Sequence, residues 1–223
     1  MLAQHKDGSS SAKTGWHPLS DPVLWKVLEE NAMFKTPLPE QLSPTWKLML
    51  LSDGSVTRHL QLLTGQHIKV DCLEMQDIGE DLAGLPDDAD QIPGPRVQRQ
   101  VFLRMPPVAG ESGKGKALVY AASWWSADRV NEYLRDKQLP IWASLSNART
   151  ELYRDVQLVC YGSSPFLARE FGESGPFWGR QYIFWHDDKP LTLIYEVFST
   201  SLQRLLGPSI NGLSIDSALH RPP

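Results

Sequence analysis

From residue 66 onward the chain alternates apolar and polar residues with a period of two, in six stretches set apart by turn-forming or helical segments. A strand turns successive side chains to opposite faces, so this pattern commits most of the chain to a sheet. QHIKVDCLEM, RVQRQVFLRM and KALVYAASWW read as the first three strands and TELYRDVQLVCYG as the fourth. The two arms of GPFWGRQYIFWHDDKPLTLIYEVF, residues 175–198, supply the last two, joined by the turn-like stretch from His186 to Pro190. Two inserts read as helical: SADRVNEYLRDKQLPIWASLS, capped at Ser126, and the shorter SSPFLAREFG. The acidic Gly/Pro-rich segment from Asp77 to Pro95 reads as a mobile loop. The fold class expected is α+β, a single six-stranded, mainly antiparallel sheet with covering helices.

Upstream of residue 66 the spacing is helical. Asp21-Pro22 is a helix-start signal, and Val23, Leu24, Val27 and Leu28 fall at helical spacing, which predicts an N-terminal helical extension over 21–42. SPTWKLMLLSDGSVTRHLQLLTG reads as helix, turn, helix, with caps at Ser43 and Ser55 and a stop at Gly65. A second helix offering only Arg58 and His59 to a groove is poorly equipped to read DNA. Residues 1–20 are Ser/Gly-rich and read as a flexible tail, 209–223 as a C-terminal tail, and 43–208 as one domain.

The 223 residues suffice for one sizeable core. A net charge of −4, with acids and bases mixed along the chain, provides no electrostatic footprint for nucleic acid or an anionic membrane. No apolar run approaches a membrane span and the N-terminus has no hydrophobic signal core, so the expectation is a soluble, cytoplasmic monomer. Cys72 and Cys160 are isolated in apolar strands, and the histidines show no paired-ligand spacing, so no metal is expected. GKGK lacks the spacing of a phosphate loop.

Three charges interrupt the alternation. On the last strand Thr192, Ile194, Glu196 and Phe198 share one face and Leu191, Leu193, Tyr195 and Val197 the other, so Glu196 has apolar neighbours whichever face is inside. The same count groups Arg99 with Val97, Val101 and Leu103, and Arg154 with Leu152, Val156, Leu158 and Cys160. A carboxylate is almost never fully buried unless it is paired or has its pKa moved. The two arginines and the glutamate either neutralise one another as a structural ion-pair set, or leave surplus positive charge on an enclosed cavity. The surplus points to an enzyme or receptor for a small organic acid, since the arginine fork binds carboxylates through two parallel bonds.

Trp178-Gly179-Arg180, then Lys189-Pro190-Leu191, then Glu196 and Phe198, resemble the C-terminal signature of the chorismate lyase family, and Leu139-Pro140-Ile141 and Tyr153-Arg154-Asp155 fall into step with it. The resemblance runs from about Leu48 to Phe198. It implies conversion of chorismate to 4-hydroxybenzoate and pyruvate without a cofactor, on a single six-stranded antiparallel sheet with helices that cover an enclosed product site. The alternative is a non-catalytic small aromatic-acid sensor, since regulator effector domains are similar in fold. By resemblance Glu196 is the catalytic glutamate and Arg99 the ligand-binding arginine, while backbone N–H groups at Val56 and Ile141 hold the product carboxylate. Arg154 and Arg180 are then supporting or ion-pair residues and Trp178 core packing, with Gly179 permitting close strand approach. Ala122 stands where the family has an arginine near the cavity mouth, which implies altered substrate access or release. The Trp124-Trp125 pair and the N-terminal extension resemble the photosynthetic, plastoquinone-making branch.

Overall fold

The computed structural model describes residues 15–28, 33–34, 38, 42–107, 109–110, 112–133 and 153–210. In chain order these form β1 (Ser20–Leu28), β2 (Met33–Phe34), α1 (Pro44–Leu51), α2 (Val56–Thr64), β3 (Lys69–Gly79), β4 (Arg96–Met105), β5 (Lys116–Ser126) and α3 (Ala127–Tyr133). There follow β6 (Tyr153–Ser163), α4 (Pro165–Phe171), β7 (Phe177–His186), β8 (Lys189–Phe198) and α5 (Gln203–Leu206). The strands lie in the order β2-β1-β6-β7-β8-β5-β4-β3, and every pairing is antiparallel. The β7–β8 hairpin turns on Asp187 and Asp188, both at positive φ, the twist that suits a two-residue connection between right-twisted strands.

The sheet is thus larger than the six strands read from sequence. The addition is β1, which was read as a helix, with the two-residue β2 beyond it. Val23 to Lys26 pair with Tyr161 to Leu158, so this segment closes an edge of β6 that would otherwise present unpaired backbone. Trp25 is buried while Val23 and Leu24 are exposed. Pro22 sits in the register break between Ser20 and Val23, and Asp21 there has φ of 43°, so the helix-start signal is in fact a strand irregularity on the edge, where proline is tolerated. Tertiary pairing has overridden local spacing.

Three further expectations are corrected. The tail does not stay loose throughout, because Trp16 packs edge-on to Trp124 and Tyr195 (5.1 and 5.2 Å between ring centres) and Leu19 N–H donates to the Tyr195 hydroxyl (3.2 Å). At the other end Ser209 and Ile210 are buried, and Ser43 N–H donates to Ser209 O (2.8 Å). The acidic loop is packed too. Ala89 and Ile92 are buried, and Arg96 Nε donates to their carbonyls at 3.2 and 2.7 Å.

α1 and α2 form as the caps specify. Ser43 Oγ accepts from Trp46 N–H, Ser55 Oγ accepts from Arg58 N–H, and Gly65 closes α2 at φ 66° with its N–H on Gln61 O. Trp46, Met49, Leu50, Val56 and Leu60 bury the pair's apolar side on one face of the sheet, against residues that include Val101, Val119, Val159 and Phe198. Each such fully buried side chain contributes roughly 1.5–3 kcal/mol. Among the described residues no helix is long and apolar enough to cross a membrane.

Behind β8 the chain is tied by Glu173, whose carboxylate accepts from Lys116 Nζ (2.9 Å), Ser199 Oγ (2.8 Å) and Thr200 Oγ1 (2.7 Å). Burial pushes its pKa up, but the hydrogen bonds from Lys116, Thr200 and Ser199 outweigh it and hold the group at about 2. A folded-state pKa below the unfolded value stabilises the fold fully above the unfolded pKa, about 4.3 for a glutamate, and is lost as pH falls through about 2. The melting-temperature advantage of the wild type over Glu173→Gln should therefore shrink steadily between pH 5 and about 2. A gap that stays constant over that range would contradict this role.

Candidate active site

The pairing register gathers the misplaced charges on one face, under α1 and α2. One row across the sheet runs Met75, Arg99, Ser123, Ile194, Tyr182, Val156, and the next runs Val101, Ala121, Glu196, Arg180, Val159. Arg99 and Glu196 therefore stand two strands apart, about 10 Å across the sheet at ordinary strand spacing. Between them β5 carries the small side chains of Ala121 and Ser123, and Ser123 Oγ accepts from Trp125 Nε1 (3.0 Å). The apolar core of this face is divided accordingly: one cluster lies under α1 and α2, and another, containing Trp125, Val130, Tyr133, Phe184 and Ile194, lies under α3. The charged groups lie on the same face.

Arg154 reaches this face by a route that period-two counting missed. The β6–β7 register shifts between Val156 and Leu158, so Gln157 is an extra residue and the alternation changes phase there. Arg154 and Val156 face α1 and α2 together with Val159 and Tyr161, whereas Leu158 and Cys160 join the opposite core. The expected grouping of Arg154 with Leu158 and Cys160 is corrected. Cys160 lies beside the Tyr195 hydroxyl (3.6 Å), and burial pushes its thiol up to about 12, an inert, reduced group.

All four charged groups are buried: relative exposure is 2% for Arg99, 7% for Arg154, 0% for Arg180 and 5% for Glu196. Arg180 Nε donates to Glu196 Oε2 (2.8 Å), and the Tyr182 hydroxyl donates to Glu196 Oε1 (3.2 Å). Arg180 Nη1 donates to the carbonyls of Met49, Leu50 and Ser52 (3.2, 3.0 and 3.3 Å). Arg154 Nη1 donates to Ser52 O (2.9 Å) and Gly54 O (2.6 Å). The carbonyl end of α1 carries partial negative charge, so two guanidinium groups from the sheet hold the helix pair down. Both also lie over the Tyr182 ring, at 4.4 Å for Arg154 and 4.9 Å for Arg180.

The electrostatics follow. Burial, and then the neighbouring Arg180, make Arg154 less basic than an ordinary arginine, and burial beside Glu196 raises the Tyr182 hydroxyl above the ordinary tyrosine value. His59, on the first turns of α2, is lowered by burial and by Arg180 and Arg154, so at neutral pH it adds no charge. Among the described residues this face holds three guanidinium groups and one buried carboxylate. Val56 opens α2 and is buried against the same face; the N–H groups of a first helical turn have no intrahelical acceptors, so this end suits an anion. Among the described residues no cluster of His, Cys, Asp or Glu could hold a metal ion.

Ile141 lies outside the described residues. Trp178 packs against the rings of Trp25 and Tyr161. Ala122 is buried in the opposite core, in register with Gln100 and Tyr195. Gly179 lets β6 and β8 approach β7: a Cβ there would sit 2.8 Å from Cys160 Sγ and 2.9 Å from Glu196 O. Gly179→Ala should cost about 1–3 kcal/mol in urea denaturation, and an unchanged midpoint would mean the strands yield freely. Tyr182, Ala121 and Ser123 were missed by the sequence reading. Counting by two from Arg180 along β7 puts Tyr182 on the same face, but both faces of that strand are buried and the count alone does not mark which one holds the charges.

A helix-covered antiparallel sheet with an enclosed, predominantly cationic patch defines an α+β domain suited to binding a small organic anion. The chain belongs to the family described as Chorismate pyruvate-lyase Rv2949c-like, which matches residues 50–206. It is 34% identical over 177 residues to a protein named ycf21 from Cyanophora paradoxa, covering 79% of this chain and 88% of that one. It is 30% identical over 158 residues to ycf21 from Pyropia yezoensis, covering 71% of this chain and 82% of that one. These relatives come from algal plastids, consistent with the photosynthetic branch. In fold it is similar to PhnF from Mycobacterium smegmatis, with TM-score 0.50 at 13% identity over 69% of this chain and 67% of that one.

Proposed function

We propose that this protein is a chorismate lyase, releasing pyruvate and 4-hydroxybenzoate, the ring precursor of plastoquinone or ubiquinone. The observation that carries the reading is the placement of Arg99 and Glu196 on either side of the small residues Ala121 and Ser123, on a buried face with more guanidinium groups than carboxylates. Chorismate is a dianion. Arg99 grips the ring carboxylate, helped by the backbone N–H groups at the start of α2, where Val56 lies, and Glu196 faces the ring hydroxyl. In the reaction the ring carbon bearing that hydroxyl loses its proton, the neighbouring carbon–oxygen bond breaks, and its electron pair leaves on the enolpyruvate oxygen. That fragment takes up a proton and becomes pyruvate, while the ring becomes aromatic. Aromatisation drives the step, so the protein's part is to orient the substrate and stabilise moving charge, with Glu196 as hydrogen-bond acceptor or base. The chain acts as a monomer and needs no cofactor for this chemistry.

A second reading, a non-catalytic binding domain for a small aromatic acid, is favoured by one fact: both oxygens of Glu196 already accept hydrogen bonds from protein donors. Incubating the purified protein with chorismate and following pyruvate and 4-hydroxybenzoate separates the two. Equimolar appearance of both products supports the lyase. Tight 4-hydroxybenzoate binding with no pyruvate release supports the sensor.

A further inference from the structure

Arg154 and Arg180 are more than anchors for the helix pair. Their guanidinium groups share an acceptor, Ser52 O, and a ring, Tyr182, so two buried cations lie side by side. Glu196 offsets one of them directly, through its 2.8 Å bond to Arg180. Arg154 is held by the carbonyls of Ser52 and Gly54 and by the rings of Tyr182 and Phe184, none of which carries a full negative charge. Three buried polar atoms at this junction have no hydrogen-bond partner among the described residues: Arg154 Nε, Arg180 Nη2 and Ser52 Oγ. Buried polar groups are nearly always satisfied, and charged donors most of all. Three of them together, all able to donate, describe a place for an acceptor that carries negative charge.

We propose that Arg154, Arg180 and Ser52 form a second carboxylate subsite, which takes the enolpyruvyl carboxylate of the substrate while Arg99 takes the ring carboxylate. This assignment rests on the lyase reading and completes its geometry. The hydroxyl and the enolpyruvyl ether sit on adjacent ring carbons. A ring whose hydroxyl meets Glu196 therefore carries its side chain toward the groups next to Glu196 and away from Arg99, and those groups are Arg180 and, beyond it, Arg154. The leaving fragment departs as an anion, so two fixed cations at its exit favour bond breaking as well as binding. The product ring has lost that carboxylate and no longer touches the subsite.

The test compares two ligands in one set of variants. In Arg154→Met the dissociation constant of chorismate, from KM or directly by calorimetry if turnover is absent, should rise about 100-fold, while that of 4-hydroxybenzoate rises only several-fold, through loosening of the connector that leads to Val56. Arg154→Lys, which keeps the charge and loses the fork, should raise the chorismate value at least about tenfold, and supplies the test if the methionine variant does not fold. Ser52→Ala should raise it about threefold to tenfold with melting temperature unchanged. Equal weakening of both ligands, or no change in either, would overturn the subsite. Failure of the wild type to release pyruvate would overturn the lyase reading, and the two-ligand comparison would still decide the subsite.

Discussion

Glu196→Gln should cut the turnover of chorismate by about 10² to 10⁴ while the protein still folds, with a lower melting temperature. The two effects have separate causes. Glutamine keeps the shape and can still accept from Arg180 Nε or Tyr182, so the hydrogen-bonded frame survives. It removes the negative charge that faces Arg180, whose exposure is 0%. Breaking a buried pair outright costs on the order of 3–5 kcal/mol. Here the carbonyls of Met49, Leu50 and Ser52 retain the guanidinium, so the loss should fall below that range. Activity per folded molecule is the deciding quantity. A variant that melts early yet turns over at a near-normal rate in its folded fraction would reduce Glu196 to a structural partner of Arg180.

Arg99→Ala should abolish measurable turnover and weaken 4-hydroxybenzoate at least about 100-fold in calorimetry, because the ring carboxylate would lose a charged, two-pronged donor in a desolvated site. Lysine at this position should restore little, since a point charge does not reproduce the fork. Unlike the variants at Arg154, this change should weaken product and substrate alike, because both carry the ring carboxylate. Unchanged product affinity would remove Arg99 from the pocket and move the first carboxylate to the α2 N-terminus alone.

What could be read from the sequence depended on whether a feature is local. Arg99 and Glu196 stood out because a charge among aliphatics on a regular strand breaks a pattern that needs only neighbours to see. The cap residues Ser43, Ser55 and Gly65 were legible for the same reason. Arg154 was half legible: its oddity was visible, but its face depended on an extra residue at Gln157, which exists only in relation to β7. β1 was misread because Asp21-Pro22 and the spacing of Val23, Leu24, Val27 and Leu28 satisfy a helix locally, while the free edge of β6 that recruits the segment lies far along the chain. Arg180 and Tyr182 were undervalued because both faces of the β7–β8 hairpin are buried, and no alternation of apolar and polar residues marks which one meets the site.

The helix pair over the site is gripped through its main chain: the acceptors for Arg154 and Arg180 are carbonyls at 49, 50, 52 and 54, which any amino acid would supply. This makes substitution tolerance lopsided. Residues of the α1–α2 connector can be exchanged widely, provided the backbone path is kept, without loosening the clasp, whereas a single replacement at either arginine undoes several bonds at once. A library randomised across 52–54, with the Ser55 cap kept, should yield many folded members, and one randomised at 154 and 180 very few. Divergent relatives can therefore share this architecture while the connector preserves almost none of its letters.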